Sequence, residues 1–171
     1  VAIEIQHSAL GLVAIQDRTS AYCAADVAVI WVPTLDRRSL NLRSLGGNVL
    51  VAERYSVPGW QRFAAAYHDM LWFWMDDALW RGWLDDAWVA ASTHDPLAGE
   101  GWMPSRRWAS LTIEGPFAPA SLRIHMRRFP VKSHESFEFP LGPVAQFVVD
   151  GESCDCASPA IAGWREHLGR V

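Results

Sequence analysis

The chain has few of the features that mark secreted or membrane proteins. Its most apolar run, Met70 to Met75, is six residues long, whereas a membrane span needs roughly 20 residues. Three cysteines are too few for a disulfide framework. The first residues lack the basic region and apolar core of a signal peptide. We therefore expect a soluble, cytoplasmic protein that makes no membrane contact.

Lysine is almost absent from the sequence. Lys132 is the single lysine among 15 basic residues, so the other fourteen are arginine. With abundant Ala, Val, Gly and Trp, this bias is typical of GC-rich bacterial or phage genomes. The formal net charge is −4, and an acidic domain has no general attraction to nucleic acid. Composition thus indicates a bacterial or phage origin and disfavours nucleic-acid binding.

The motifs that identify common cofactor sites are also missing. Gly46-Gly47 is interpreted as a turn, because the Lys-Ser/Thr pair of a phosphate-binding loop does not follow it. Cys154 and Cys156 are separated by one residue. Even with His134 or His167 they lack the usual spacing and ligand number of structural zinc. We predict no metal and no cofactor, and we assign no catalytic residue.

Tryptophan, by contrast, is abundant. Ten residues are tryptophan, and six of them fall within one 29-residue stretch: Trp60, Trp72, Trp74, Trp80, Trp83 and Trp88. A buried indole removes about 150–250 Å² from water and needs a partner for its N–H group. The stretch is therefore either the organising core of the domain or a surface that binds a partner, and both interpretations stay open.

The first third of the chain shows β patterns. Val1–Ile5 and Leu10–Ile15 alternate, and Ala25–Val32 is nearly all apolar, as in a central strand buried on both faces. Ser39–Arg54 predicts a hairpin that turns at its Gly-Gly pair. A short helix over Leu35–Leu45 is the alternative for that region.

The middle of the chain, residues 58–92, predicts helix. Apolar side chains recur at three- and four-residue spacing from Trp60 to Met75 and again from Trp80 to Ala91. Toward Met75 the pattern is apolar on every side, which indicates a buried helix or half of an interface. An outer row spaced by four residues predicts helical ion pairs: Asp77, Arg81 and Asp85. One bent helix and two helices are both compatible with this pattern.

Strand patterns resume after a loop rich in Gly and Pro. Arg107–Glu114 and Ser121–Phe129 predict a hairpin with an apolar inner face. That face comprises Leu111, Ile113, Leu122, Ile124 and Met126. Val144–Val149 predicts a further strand, preceded by a short one at Ser136–Phe139. Ser158 as cap, followed by Ile161, Trp164 and Leu168, predicts a terminal amphipathic helix.

The order of these elements is strands, helices, strands and one helix. Segregation without strict βαβ alternation predicts an α+β fold. We expect one globular domain over residues 1–171, with a mainly antiparallel sheet packed against a Trp-rich helical segment and a short C-terminal helix.

One strand of the later hairpin carries a row of basic residues. Arg123, His125 and Arg127 alternate with apolar residues, so all three are expected on the outer face. Arg106 and Arg107 are expected nearby. Because the planar arginine fork suits carboxylates, these five residues are candidates for binding an acidic partner. An ordinary solvated sheet face is the alternative.

Three functions are compatible with the sequence. Tryptophan and arginine dominate binding hot spots, so Trp72 joins the candidate surface. The leading hypothesis is a non-enzymatic protein-binding module, either an immunity or inhibitor type or a component of an assembly. The first alternative is a small-molecule enzyme or binder with an aromatic pocket, in which His68, Asp69 and His94 supply acid–base groups. The second is an oligomeric structural subunit of a virion or secretion machine.

Overall fold

The computed structural model describes residues 1–68, 70–90, 102–127 and 137–152. Its elements alternate irregularly between strand and helix. In chain order they are β1 (Ala2–Gln6), α1 (Leu12–Ala24), β2 (Val29–Pro33), β3 (Arg43–Gly46), β4 (Val49–Tyr55), α2 (Gly59–His68), β5 (Leu71–Met75), β6 (Ala78–Ala90), β7 (Trp102–Phe117), β8 (Leu122–Arg127) and β9 (Val144–Val149). The described part of the chain therefore has the predicted α+β class.

Three sheets contain these strands, and most of the pairing is antiparallel. The largest sheet has the order β3-β4-β7-β6-β5, and β8 pairs with β9 in a separate antiparallel pair. β1 and β2 form a parallel pair connected through α1. The largest sheet and the parallel pair meet where Leu35 N–H donates to the Trp74 carbonyl at 2.9 Å.

The first third confirms most of its strand predictions. Val1–Ile5 corresponds to β1, Ala25–Val32 contains the start of the fully buried β2, and Ser39–Arg54 contains the hairpin β3–β4. The hairpin turns at Gly46 and Gly47, whose φ angles are +106° and +56°. Such positive φ angles suit glycine because it has no Cβ.

The strand predicted at Leu10–Ile15 is wrong, because α1 begins at Leu12. The alternation there involves side chains that are mostly exposed or half-buried. The buried residues of α1 are Ile15, Thr19 and Cys23, which are spaced by four. A four-residue spacing places them on one helical face, and the polar Thr19 concealed that period in the sequence.

The prediction of a Trp-rich helix over residues 58–92 is also wrong beyond His68. Only α2 is helical, and the tryptophans that follow lie on the antiparallel strands β5 and β6. The two strands are joined by Asp76 and Asp77, whose φ angles are +52° and +57°. Two successive positive φ angles are typical of a two-residue hairpin turn.

The physical reason for this error is burial on both faces. Phe73 and Trp80 pack in one core cluster while Trp72 and Leu79 pack in another, on the opposite side of the sheet. A strand buried on both faces is apolar at every position, as is a buried helix. The predicted helical ion pairs of Arg81 are replaced by contacts with other parts of the chain, which are described below.

The later hairpin is predicted in the right strands but with the wrong partner. β7 lies between β4 and β6, so both of its edges are hydrogen-bonded and neither is available to β8. β8 pairs with β9 instead. Leu111 and Ile113 are buried as predicted, whereas Ile124 and Met126 are exposed. Val144–Val149 is confirmed as a strand, and the predicted C-terminal helix lies outside the described residues.

The core has two clusters, one on each face of β2. On the first face Val29 and Trp31 pack with Ile15 of α1 and with Phe63 and Tyr67 of α2. The second cluster lies on the opposite face and contains residues from four strands and the segment before β2: Ala28, Ile30, Val32, Trp72, Leu79, Ala145 and Phe147. The helices therefore cover one side of β2, and β9 covers the other.

Candidate functional site

The predicted basic surface is divided between two sheets. Arg123 is exposed on β8, where its Nη2 donates to the Glu152 carbonyl at 2.7 Å. His125 is half-buried and lies opposite Gln146 of β9. Arg127 ends β8, whereas Arg106 and Arg107 belong to β7. These are separate sheets. The five basic residues therefore do not lie on one pair of hydrogen-bonded strands.

Arg107 makes a local contact rather than a shared basic patch. Its guanidinium carbon lies 4.6 Å from the ring centroid of the adjacent Trp108, a cation–π distance. Arg107 is exposed and so available to solvent and to partners. Because Arg107 lies on β7 and Arg123 on β8, the two residues belong to different sheets.

Trp72 lies in the core and presents no surface to a partner. It is 2% exposed, and its ring packs edge-on against Phe117 and Phe147, with centroid distances of 5.5 Å in both pairs. Its indole N–H has no hydrogen-bond partner among the described residues. The inclusion of Trp72 in a binding surface is therefore corrected: its side chain joins β5 to β9.

Of the three residues predicted for an aromatic pocket, the structure describes only His68. His68 is buried at the end of α2, where its Nε2 accepts a hydrogen bond from Trp31 N–H at 3.5 Å. The Tyr67 ring stands edge-on to the imidazole at 4.9 Å. Asp69 and His94 lie outside the described residues, as do Cys154 and Cys156. In the described part of the chain, no group of three or more His, Cys, Asp or Glu residues is placed to hold a metal.

Arg81 is the centre of an ion-pair cluster that the sequence pattern did not reveal. Its guanidinium donates to the Glu114 carboxylate at 2.7 and 3.2 Å and to the Glu152 carboxylate at 2.6 and 3.1 Å. Trp83 and Phe117 lie at 5.3 and 5.5 Å from the guanidinium carbon. The cluster thereby connects β6, β7 and the residues that follow β9.

The electrostatics of Arg81 make it a structural cation. Burial opposes its charge, but hydrogen bonds to Glu152 and Glu114 and the charges of these carboxylates outweigh that effect and raise the pKa of Arg81. Two carboxylates already occupy its donors. Arg81 therefore holds strands together, and four hydrogen bonds to these two carboxylates engage its guanidinium. Only strand register reveals this pairing, because Glu114 lies directly opposite Arg81.

A second polar cluster lies in the β1–α1–β2 unit. The Glu4 carboxylate accepts hydrogen bonds from Arg18, at 2.8 Å, and from the Tyr22 hydroxyl. The hydrogen bond between Tyr22 and Glu4 is the main cause of the raised pKa of the Tyr22 hydroxyl. Arg18 also stacks on the Trp31 ring at 5.1 Å. The contacts fix α1 over β1, and sequence reasoning missed them because Glu4 was interpreted only as the polar half of an alternating strand.

Exposed apolar side chains border the second core cluster on two strands. There are four such side chains, two on β1 and two on β8. Each lies opposite a buried member of that cluster in the strand register. The pairs are Ile3 with Ile30, Ile5 with Val32, Ile124 with Phe147, and Met126 with Ala145. The four side chains on β1 and β8 are 49%, 42%, 43% and 47% exposed, respectively. We call these four exposed residues the apolar margin.

The fold and these clusters define an α+β protein with mostly antiparallel strands and one parallel βαβ unit. No family model, no curated protein and no solved structure matches the chain. Among the described residues, no helix is both long enough and apolar enough to cross a bilayer.

Proposed function

We propose that this chain is a non-enzymatic protein-binding module that docks through its apolar margin. The observation that carries the proposal is the exposure of Ile3, Ile5, Ile124 and Met126 beside a buried cluster. Contiguous exposed apolar patches mark protein interaction sites, and the two residues on each strand of the apolar margin are next-but-one neighbours on one strand face. Burial of such surface supplies about 25 cal/mol for each Å² removed from water.

The apolar margin explains docking better than the basic residues do. Arg123 is committed to the Glu152 carbonyl, and Arg81 to two carboxylates. Charged groups at a rim mainly affect association rate and salt dependence, whereas buried anchors determine affinity. In the proposal, Arg123 and Arg107 therefore guide an acidic partner and the apolar margin holds it.

The composition supports a bacterial or phage origin for this module. A single lysine beside fourteen arginines is the basis for that inference. An immunity protein, an inhibitor and a component of a larger assembly all act by docking on another protein. The proposed function comprises these three roles.

The docking surface is tested by matched charge substitutions. Ile124→Glu should weaken binding of the partner captured from the native host by at least about tenfold, because a charge would be buried at the anchor. Val13→Glu is the control, since Val13 is 69% exposed on α1, away from the apolar margin. Affinity is measured by calorimetry, and the melting temperature shows that both variants fold.

Two results would contradict this choice of surface, and a third would exclude docking altogether. Equal affinity for Ile124→Glu and wild type would remove the apolar margin from the interface. A large loss in Arg123→Glu alone would return the interface to the basic face of β8. If the wild-type chain retains no partner from the native host, the docking function itself is excluded.

A second candidate function is ligand binding in the β1–α1–β2 unit. The observation that favours it is the polar cluster in which the half-buried Glu4 carboxylate accepts hydrogen bonds from Arg18 and Tyr22, so that Glu4 would position these two side chains for a ligand. Gln6 follows on the same face of β1, and its carbonyl accepts a hydrogen bond from the Thr34 hydroxyl. Units of this kind bind ligands at the carboxyl ends of their parallel strands, which is where Gln6 and Thr34 lie. The alternative built on His68, Asp69 and His94 stays a separate prediction, because Asp69 and His94 lie outside the described residues.

The ligand site is tested with Glu4→Gln. Phosphate esters, amines and dicarboxylates are added separately, and thermal shifts are measured. We expect one class to raise the melting temperature of the wild type but not of Glu4→Gln, because ligand binding to the native state adds stability. Glu53→Gln is the matched control, since Glu53 forms an exposed pair with Arg43. Equal shifts in all three proteins, or none in any, would exclude the site.

A further inference from the structure

We infer that the outer edge of β1 accepts an additional β-strand from an extended segment of the partner protein. This inference rests on the proposed docking function and specifies how the partner binds. It follows from the backbone groups of β1 that no described strand bonds, from the side chains beside them, and from a comparison with the edges at β3 and β8.

The hydrogen bonds of β1 show which residues face outward. Ala2 N–H donates to the Ala28 carbonyl at 2.8 Å, and Thr34 N–H donates to the Gln6 carbonyl at 3.1 Å. Successive residues of a strand direct their N–H and C=O groups to alternate sides. The even-numbered residues of β1 therefore bond to β2, and Ile3 and Ile5 present two N–H and two C=O groups at the outer edge. Among the described strands, β2 alone pairs with β1.

The side chains of β1 define the chemistry of the added strand. Ile3 and Ile5 share one face, which continues the second core cluster through Ile30 and Val32. On the opposite face Glu4 pairs with Arg18. A strand placed beside β1 thus fits with apolar side chains next to the isoleucines and polar side chains next to Glu4. A segment in which apolar and polar residues alternate would pack its apolar side chains against Ile3 and Ile5 and place its polar side chains beside Glu4. Its backbone N–H and C=O groups would form hydrogen bonds with those of Ile3 and Ile5.

Two other sheet edges, at β3 and β8, carry features that normally prevent strand addition. Charged side chains, bulges and prolines protect free edges. β3 has the Arg43–Glu53 ion pair and a register shift between Ser44 and Gly46. β8 carries a basic residue at every second position. At the outward positions of β1 there are only isoleucines, and within Ala2–Gln6 there is no proline. The outer edge of β1 therefore lacks the protection that β3 and β8 carry.

A tethered strand tests this inference even while the partner is unidentified. The extension Val-Thr-Val-Thr-Val-Asn-Gly is joined to Val1, so that its Asn-Gly turn folds it back along β1. This register places its valines beside Val1, Ile3 and Ile5. The control extension has proline in place of the middle valine, which removes the N–H that would bond to Ile3. Amide hydrogen exchange is then measured by NMR in the extended, control and unextended proteins.

We expect the amides of Ile3 and Ile5 to exchange at least about tenfold more slowly with the valine extension than with the proline extension. The Glu4 amide faces β2 and should change little, so it serves as the internal reference. The valine extension should also abolish partner binding, because it occupies the edge.

Three results would overturn the inference. If Ile3 and Ile5 in the unextended monomer exchange as slowly as Glu4, a segment of this chain already covers the edge. If their protection depends on protein concentration and sedimentation shows a dimer, a second copy covers it. If the partner binds the extended protein normally while Ile124→Glu prevents binding, the docking function holds and strand addition is wrong.

Discussion

Replacing Trp31 with alanine is expected to lower the free energy of unfolding by about 3–5 kcal/mol. Trp31 is fully buried on β2, and it packs in the cluster that α1 and α2 form over the sheet. Its indole N–H donates to the Thr19 hydroxyl at 3.1 Å. The substitution therefore leaves a cavity and removes the hydrogen bond that joins β2 to α1. Denaturant unfolding measures the loss.

Two control variants separate the causes of this loss. Val13→Ala removes an exposed apolar side chain from α1, and it should change stability by no more than about 0.5 kcal/mol. Trp31→Phe keeps most of the ring volume but loses the donor to Thr19, so its cost should fall between the two. If Trp31→Ala unfolds like Val13→Ala, β2 is not buried on its helical face.

Gly82→Ala is expected to destabilise the protein although it adds only one methyl group. A Cβ on Gly82 would lie 2.4 Å from Cε2 and 2.8 Å from Cδ2 of Phe73, and 3.3 Å from Cγ2 of Ile113. Both neighbours are fully buried, so the Phe73 ring has no free volume into which to move. Overpacking of this kind costs about 1–3 kcal/mol. Thermal and denaturant unfolding provide the measurement.

Gly59→Ala is the matched control for this substitution. A Cβ at Gly59 would meet only Leu12 Cβ, at 3.8 Å, an ordinary contact. Because Gly59 begins α2, alanine should be neutral or stabilising there by up to about 1 kcal/mol. The double variant Gly82→Ala with Phe73→Leu should lose less stability than the sum of its single variants, because the ring that causes the clash is removed. Equal stability of Gly82→Ala and wild type would show that β5 and β6 are not packed as described.

The success and failure of the sequence predictions have a common physical cause. β2 and β9 were predicted correctly because a short, nearly continuous apolar run has the length of a strand. The hairpin β3–β4 was predicted from its two glycines. The helix predicted over residues 58–92 was wrong beyond His68, because a pattern that is apolar on every side does not distinguish a buried helix from a strand buried on both faces. Pairing with β7 makes Ala78–Ala90 a strand.

The candidate sites depended still more strongly on tertiary structure. Arg81 was predicted to pair with aspartates four residues away, yet its partners Glu114 and Glu152 are 33 and 71 residues away in the chain. Trp72 was expected at a surface, but Phe117 and Phe147 bury it. Neither contact has a local signature, because both result from the order in which distant strands pair.

The sequence by itself determined the α+β class, the positions of several strands and the turn at Gly46 and Gly47. These properties follow from local periodicity and from backbone conformations that particular residues favour. Only the tertiary structure decided which strands pair, which arginines are neutralised and which apolar side chains remain exposed. The exposure of Ile3 and Ile124 depends on the position of β1 and β8 at sheet edges. An edge is a property of strand order, which no local pattern in the chain encodes.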